Sequence, residues 1–397
     1  MLRSLLSIID SEAVRASWKE WGYVLKRVVA GGLFPAVGVF ALLVFTSWRY
    51  GELSADDRQR WLADTSKPYV WRAYDGLEFI DTKLRQVRHR KPDILMIGTS
   101  RALQWRSRMF SPYSFYNLGL TAWTFDNFVE ILGEVSRDGY APKVLFFNFD
   151  FFMLNENWEK LWEDRKFTSP YEVGWSDIAH RIRRAGRVVV NYPYQLISDR
   201  YDAFCDCLEY SLRAGPGTGG ARTDGSAFYS GEIRAGAGDP HMADDVGMGS
   251  WPVGFGDRLS PQQKDKFEAF TRFARERGIT LVAVTLPIID PVAEAYKTHP
   301  QYGIVREFQS KDVSEWLDGL GVIHFDFTTF GRFSASPHYF VDPLHPTELS
   351  IIAAAAEMAK DKRLHKVLPL WDSQRLTDDV ARFEAIRASL DCYGNEF

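Results

Sequence analysis

The sequence predicts an α/β protein, a three-layer α/β/α sandwich around a parallel sheet, preceded by one transmembrane helix. Three observations carry this. Short apolar runs alternate with stretches of helical periodicity over residues 91–365, the order that produces a parallel sheet with crossover helices. The first of those runs stops abruptly at Gly98-Thr99-Ser100, as a buried strand does when its carboxyl end delivers a hydroxyl. Residues 28–48 contain no charged side chain and match the span that a bilayer core requires.

Taken in order, residues 1–27 read as a short cytoplasmic arm and 28–48 as the anchor. Pro35 and the glycines are tolerated in a spanning helix. Trp48 and Tyr50 suit one interface, and Trp18, Trp21 and Tyr23 the other. A signal peptide fits less well, because the leader is long and no small-residue cleavage site comes after it. Lys26 and Arg27 precede the run and Arg49 follows it, which favours a cytoplasmic amino terminus with everything after residue 50 outside. The simpler alternative is a buried helix.

Residues 49–90 form a charged, helical lead-in. Strands are expected at 94–97, at 115–118 ending on Gly119, and at 144–149. Between the last two lies a helix over 125–138, with Phe125, Phe128, Val129, Leu132 and Val135 at helical spacing. An insertion covers about 155–260. From 214 onward it becomes glycine-dense and loses apolar periodicity, as long functional or disordered loops do. Asp239, His241, Asp244 and Asp245 within it read as a polar loop rather than as metal ligands. The alternation resumes with a helix from Gln262 to Glu276, closed by Gly278. A strand at 280–286, a helix at 307–317, a strand at 322–327 and a helix at 347–360 come next. Residues 366–397 read as an accessory segment.

With 46% apolar residues the chain can bury a sizeable core, and a net charge of −4 gives no reason to expect nucleic acid. The 13 tryptophans are expected mainly in the core, with a sugar-facing groove as the alternative. Cys205, Cys207 and Cys392 form no disulfide framework or zinc pattern, although a bridge from Cys205 or Cys207 to Cys392 is open outside the cytoplasm.

The chemistry concentrates at two points. Ser100 follows the first strand of the sheet, at the edge where open parallel sheets bind ligands. Asp342 and His345 lie three residues apart in a loop after the last strand, which a doubly wound sheet returns to the same edge. Ser100 as nucleophile, His345 as base and Asp342 as orienting acid make a serine acyl-transfer site. The competing reading is a helix cap at Thr99 or Ser100. Arg101 and Asp150 are candidate substrate-binding residues, although for Arg101 a salt bridge that braces a loop is the preferred reading. The absence of a Gly-x-Gly-x-x-Gly or phosphate loop argues against nucleotide binding. No metal or cofactor is expected.

These residues resemble the SGNH, or GDSL-like, hydrolases over roughly 90–362. Gly98-Thr99-Ser100 stands where that family has Gly-Asp-Ser. Asn117-Leu118-Gly119 resembles its second block, whose glycine amide serves the oxyanion hole. Asp342-Pro343-Leu344-His345 resembles its closing Asp-x-x-His. Thr99 replaces the usual aspartate. The third block, Gly-x-Asn-Asp, is absent in that form, with Asn148 standing near its place. The resemblance implies that the Gly119 and Ser100 amides, together with Asn148, line the oxyanion hole. With the anchor, it is similar to the accessory proteins of cell-surface polysaccharide O-acylation. That implies an O-acyltransferase or acylesterase on a bacterial inner membrane, facing the periplasm or exterior. A polysaccharide or acyl-glycan would be its substrate, and a membrane-bound O-acyltransferase its partner. The alternative is a catalytically inactive glycan-binding or scaffold member.

Overall fold

The structure, a computed structural model, describes residues 69–71, 76–162, 219–228, 244, 246–249 and 254–389, together with 22–23, 26–27, 31–32, 35–42 and 45. Two compact units are present. Met1–Asp57 with Val173–Ser198 forms one; its residues 35–42 are helical, and Val37, Val39, Phe40, Leu42 and Phe45 are exposed. The expected anchor at 28–48 falls partly outside the described residues. Among the described residues no helix is long and apolar enough to cross a membrane.

The other unit is α/β, built on a five-stranded parallel sheet. In chain order its elements begin with β1 (Tyr69–Trp71), α1 (Gly76–Arg90), β2 (Ile94–Gly98), β3 (Phe115–Gly119), α2 (Phe125–Val135) and β4 (Val144–Asn148). Next come α3 (Glu156–Trp162), β5 (Gly219–Ala221), β6 (Ala227–Phe228), α4 (Pro261–Arg275), β7 (Thr280–Thr285) and α5 (Asp290–Thr298). The series closes with α6 (Gly303–Phe308), α7 (Lys311–Gly319), β8 (Ile323–Asp326), α8 (Arg332–Ala335), β9 (Phe340–Asp342), β10 (His345–Pro346), α9 (Glu348–Met358), α10 (Lys362–Val367) and α11 (Ser373–Ser389).

The sheet order is β3-β2-β4-β7-β8. The chain leaves β2 toward β3 and then crosses back to β4, so the direction of winding reverses beside β2. Crevices of this kind are where open α/β sheets hold ligands. The register aligns Gly98 with Gly119, Asn148 with Val284, and Thr285 with Asp326, bringing the carboxyl ends to one edge.

Every position of β2, β3 and β4 is buried, as strands covered on both faces must be. Alternation splits the core in two. Leu95, Ile97, Leu145 and Phe147 pack with Leu84, Phe128 and Phe270 from α1, α2 and α4. Ile94, Met96, Val144 and Phe146 pack with Ile351, Ala355 and Phe383 from α9 and α11. The carboxyl-terminal stretch expected to be accessory therefore completes the second core. Trp371 stacks on Phe110 at 5.3 Å and donates from its indole to the Met109 carbonyl at 2.7 Å.

The helix expected at 307–317 is two helices, because Ser310 caps α7 by accepting from the Val313 amide. Edge strand β3 is covered by part of the glycine-rich insertion. The Asn117 N–H donates to the Asp224 carbonyl at 2.7 Å, which takes up a donor that an open edge would expose. The strands flanking that turn continue outward, β6 pairing with β5 and β5 with β1.

Candidate active site

β2 ends at Gly98, whose φ is +151°. A Cβ there would lie 1.6 Å from Asn148 Oδ1, so only glycine lets the strand turn beside Asn148. The chain then makes a short 3-10 helix, Ser100–Gln104. The Thr99 hydroxyl accepts from the Arg101 N–H at 3.4 Å. Its carbonyl accepts from the amides of Ala102 at 3.1 Å and Leu120 at 3.0 Å. Capping thus falls to Thr99, and the Ser100 side chain turns to His345.

Asp342 closes β9, and Pro343 and Leu344 carry the chain into β10. Asp342 Oδ1 accepts from the Leu344 N–H at 2.9 Å and the His345 N–H at 3.0 Å. Oδ2 lies 2.7 Å and Oδ1 2.9 Å from His345 Nδ1. A carboxylate can only accept here, so the ring proton sits on Nδ1. Nε2 is left as an acceptor, 2.7 Å from Ser100 Oγ. Ser100 and His345, expected as nucleophile and base, meet across 245 positions of chain, with Asp342 behind the ring. The His345 and Asp342 side chains remain 15% and 24% exposed, so the pair is not sealed from solvent. Burial raises the Asp342 carboxyl, but the bonds from His345 and the loop amides outweigh it and hold the group below the usual carboxylate range.

Arg101 and Asp150 do not stand where a substrate could touch them. Their side chains are 3% and 1% exposed and form an ion pair. Arg101 also donates to the carbonyls of Leu344, Leu286 and Pro287. For Arg101 the geometry is that of the brace, its guanidinium donating to acceptors inside the fold, and its pairing with Asp150 leaves neither side chain facing solvent. Burial pushes the Asp150 carboxyl upward, against the pull of Arg101 and the Asn148 hydrogen bond.

Gly119 and Asn148 lie at the correct edge, but their donors are engaged elsewhere. The Gly119 N–H donates to Asn117 Oδ1 at 2.6 Å, and its carbonyl accepts from Lys83 Nζ at 2.7 Å. Asn148 Oδ1 accepts from the Thr99 N–H and its Nδ2 donates to Asp150 Oδ2, both at 2.8 Å. Asn117 and Asn148 are fully buried, and buried amides must find partners; the nearest lie in these strand ends. In this geometry the Gly119 N–H and the Asn148 amide are therefore committed to partners within the fold.

Sequence reasoning missed the turn at 222–226. Asp224 Oδ2 accepts from Arg106 Nε at 3.2 Å and from the Ser107 N–H at 2.9 Å. Arg106 Nη1 reaches Glu348 at 2.8 Å, three residues past His345. Part of the insertion is thereby docked onto the segment after Ser100. The signal was Asp224-Gly225-Ser226, a turn sequence, but nothing local says what the turn meets. Burial pushes the Lys83 amine well below its usual range.

Trp105, Trp123, Trp158 and Trp371 are buried, in keeping with the core-packing expectation. Cys205, Cys207, Cys392, Asp239, His241 and Asp245 lie outside the described residues. Among the described residues no group of three or more His, Cys, Asp or Glu could hold a metal ion. Comparison with protein-family models, curated proteins and solved structures finds no significant match to this chain.

Proposed function

We propose that this protein is a serine acyl-transfer enzyme, an O-acyltransferase or acylesterase of SGNH-like three-layer architecture. The observation that carries the proposal is the continuous hydrogen-bonded series from Ser100 Oγ through His345 to Asp342. In this reading Ser100 attacks an acyl carbonyl while His345 Nε2 takes the hydroxyl proton. The tetrahedral adduct collapses, the leaving oxygen receives that proton, and the acyl group remains as an ester on Ser100. A glycan hydroxyl or water, deprotonated by the same nitrogen, then attacks the ester and releases Ser100. Asp342 keeps the ring in the tautomer that both half-reactions need. Neither metal nor cofactor enters this scheme.

The substrate proposed from the resemblance is a cell-envelope or extracellular polysaccharide, with a membrane-bound O-acyltransferase as the acyl-supplying partner. The exposed apolar side chains between Val37 and Phe45 support an anchor at 28–48, with the domain on the outer face of a bacterial inner membrane.

A second reading, an inactive glycan-binding or scaffold protein, is favoured by one observation: the Gly119 and Asn148 donors are already engaged. One experiment separates the two. The full chain in detergent is treated with a fluorophosphonate or a p-nitrophenyl acyl ester, and the adduct is located by mass spectrometry. Acyl transfer requires an adduct on Ser100 that Ser100→Ala abolishes and His345→Ala slows. A folded protein that acquires no adduct favours the scaffold. Adding glycan acceptors then distinguishes transferase from esterase.

A further inference from the structure

We infer that Arg101 is a positioning residue for the triad: with Asp150 it locks the nucleophile turn to the histidine loop, and the Ser100–His345 hydrogen bond depends on that buried brace. The inference rests on the acyl-transfer reading and deepens it.

Arg101 directly follows the nucleophile, yet its side chain runs inward. Nε donates to the Leu344 carbonyl at 2.9 Å, the residue before His345. Nη2 donates to the carbonyls of Leu286 and Pro287, both at 2.8 Å, just past the end of β7. Nη1 pairs with Asp150, just past the end of β4. The second Asp150 oxygen accepts from Asn148 Nδ2, and Asn148 Oδ1 accepts from the Thr99 N–H. The series Thr99, Asn148, Asp150, Arg101 therefore closes on itself around the residue between its ends, Ser100.

One guanidinium thus joins the ends of β2, β4 and β7 to the turn that carries His345. These are the pieces that must agree for Oγ and Nε2 to meet. A planar fork with donors in three directions is required, and a lysine ammonium on a flexible stem cannot replace it. The pair is also set against drift, because breaking it strands a charge in the interior.

The test uses the full chain in detergent, with Arg101→Lys and Asp150→Asn compared to wild type. Fluorophosphonate labelling of Ser100 gives a limiting rate, an apparent reagent affinity and a final labelled fraction. A loosened triad lowers the limiting rate on the order of a hundredfold, with the affinity and the final fraction unchanged. A purely structural role would lower the final fraction and leave the rate of the remaining folded protein alone. In parallel, ¹⁵N-histidine-labelled protein reports the Nδ1 proton that His345 shares with Asp342. That resonance should be shifted or lost in both variants.

Wild-type rate in the variants overturns the inference. If wild type itself does not label, the acyl-transfer reading fails. The histidine resonance then decides alone: unchanged in Arg101→Lys, the brace does not position the ring; lost, the positioning stands without the chemistry. Should Arg101→Lys not fold, Asp150→Asn supplies the same readouts. Failure of both to fold makes the pair structural only and also overturns it.

Discussion

Replacing Asp342 with asparagine separates two jobs that the carboxylate performs at once. Oδ1 holds the loop through the Leu344 and His345 amides at 2.9 and 3.0 Å, while the imidazole Nδ1 is held by Oδ2 at 2.7 Å and shared with Oδ1 at 2.9 Å. An asparagine can place its carbonyl oxygen at the Oδ1 position and keep both loop bonds. Stability should then fall by only about 1–2 kcal/mol, the difference between charged and neutral hydrogen bonds. Its NH₂ group, however, now takes the nearer of the two positions, 2.7 Å from Nδ1, with the carbonyl oxygen at 2.9 Å still committed to the loop amides. To accept from that NH₂ group, the ring must move its proton to Nε2, where it can no longer take the proton of Ser100. Forcing the wrong tautomer costs about 10⁴-fold in rate, or about 5.5 kcal/mol at 1.36 kcal/mol per decade. The assay is the rate at which the fluorophosphonate adduct appears on Ser100, with thermal unfolding measured alongside. Labelling within about tenfold of wild type, at a matched melting temperature, would refute the assignment of Asp342 as the orienting acid. A pH series adds a sign test. Asp342 is held below the usual carboxylate range, so its stabilisation is present above the unfolded value of about 3.9 and fades as pH falls through the lower folded value. The stability gap between wild type and Asp342→Asn should close in that acid window and nowhere above it.

Three further outcomes are expected. Gly98→Ala places a Cβ 1.6 Å from Asn148 Oδ1 at a φ of +151°; since Asn148 is bonded at both amide ends, the loss should be about 4 kcal/mol in chemical denaturation. Asp224→Ala removes the shared acceptor of Arg106, Ser107 and Ser226 and should cost about 3–5 kcal/mol. Asp224 is held well below the carboxylate range, so that cost should persist at neutral pH and shrink only in strong acid. Trp371→Ala empties a fully packed site against Phe110 and Phe146 and should cost about 3–5 kcal/mol by the same measurement. A Trp371→Ala variant as stable as wild type would mean that the carboxyl-terminal stretch is only accessory.

Much of the fold can be read locally, and the reasons are visible in particular residues. Continuous apolar runs such as 144–147 leave few alternatives to a buried strand. Gly98 could be recognised as a strand end, and Gly278 as the close of a helix. The weaker signals failed where partners are distant. Trp371, Val380 and Phe383 sit among polar neighbours and look like a surface helix until α9 and the sheet are placed beneath them. The turn at 224–226 reads as a turn, but its contact with Arg106 belongs to no local pattern.

The candidate site divides the same way. Sequence alone nominates Ser100, Asp342 and His345, because a hydroxyl at a strand end and an Asp-x-x-His before a helix are local patterns tied to the topology of a parallel sheet. It also determines the doubly covered character of that sheet, since strand periodicity depends on neighbours two residues away. What only the tertiary structure decided is where the polar side chains spend their hydrogen bonds. Arg101 could have faced an anionic substrate, and Gly119 and Asn148 an oxyanion. Instead Arg101 closes on Asp150 and three carbonyls, Gly119 on Asn117, and Asn148 on Thr99 and Asp150. A polar group that folding has buried must be satisfied by whatever lies within about 3 Å, and which groups lie there depends on every strand and loop at once.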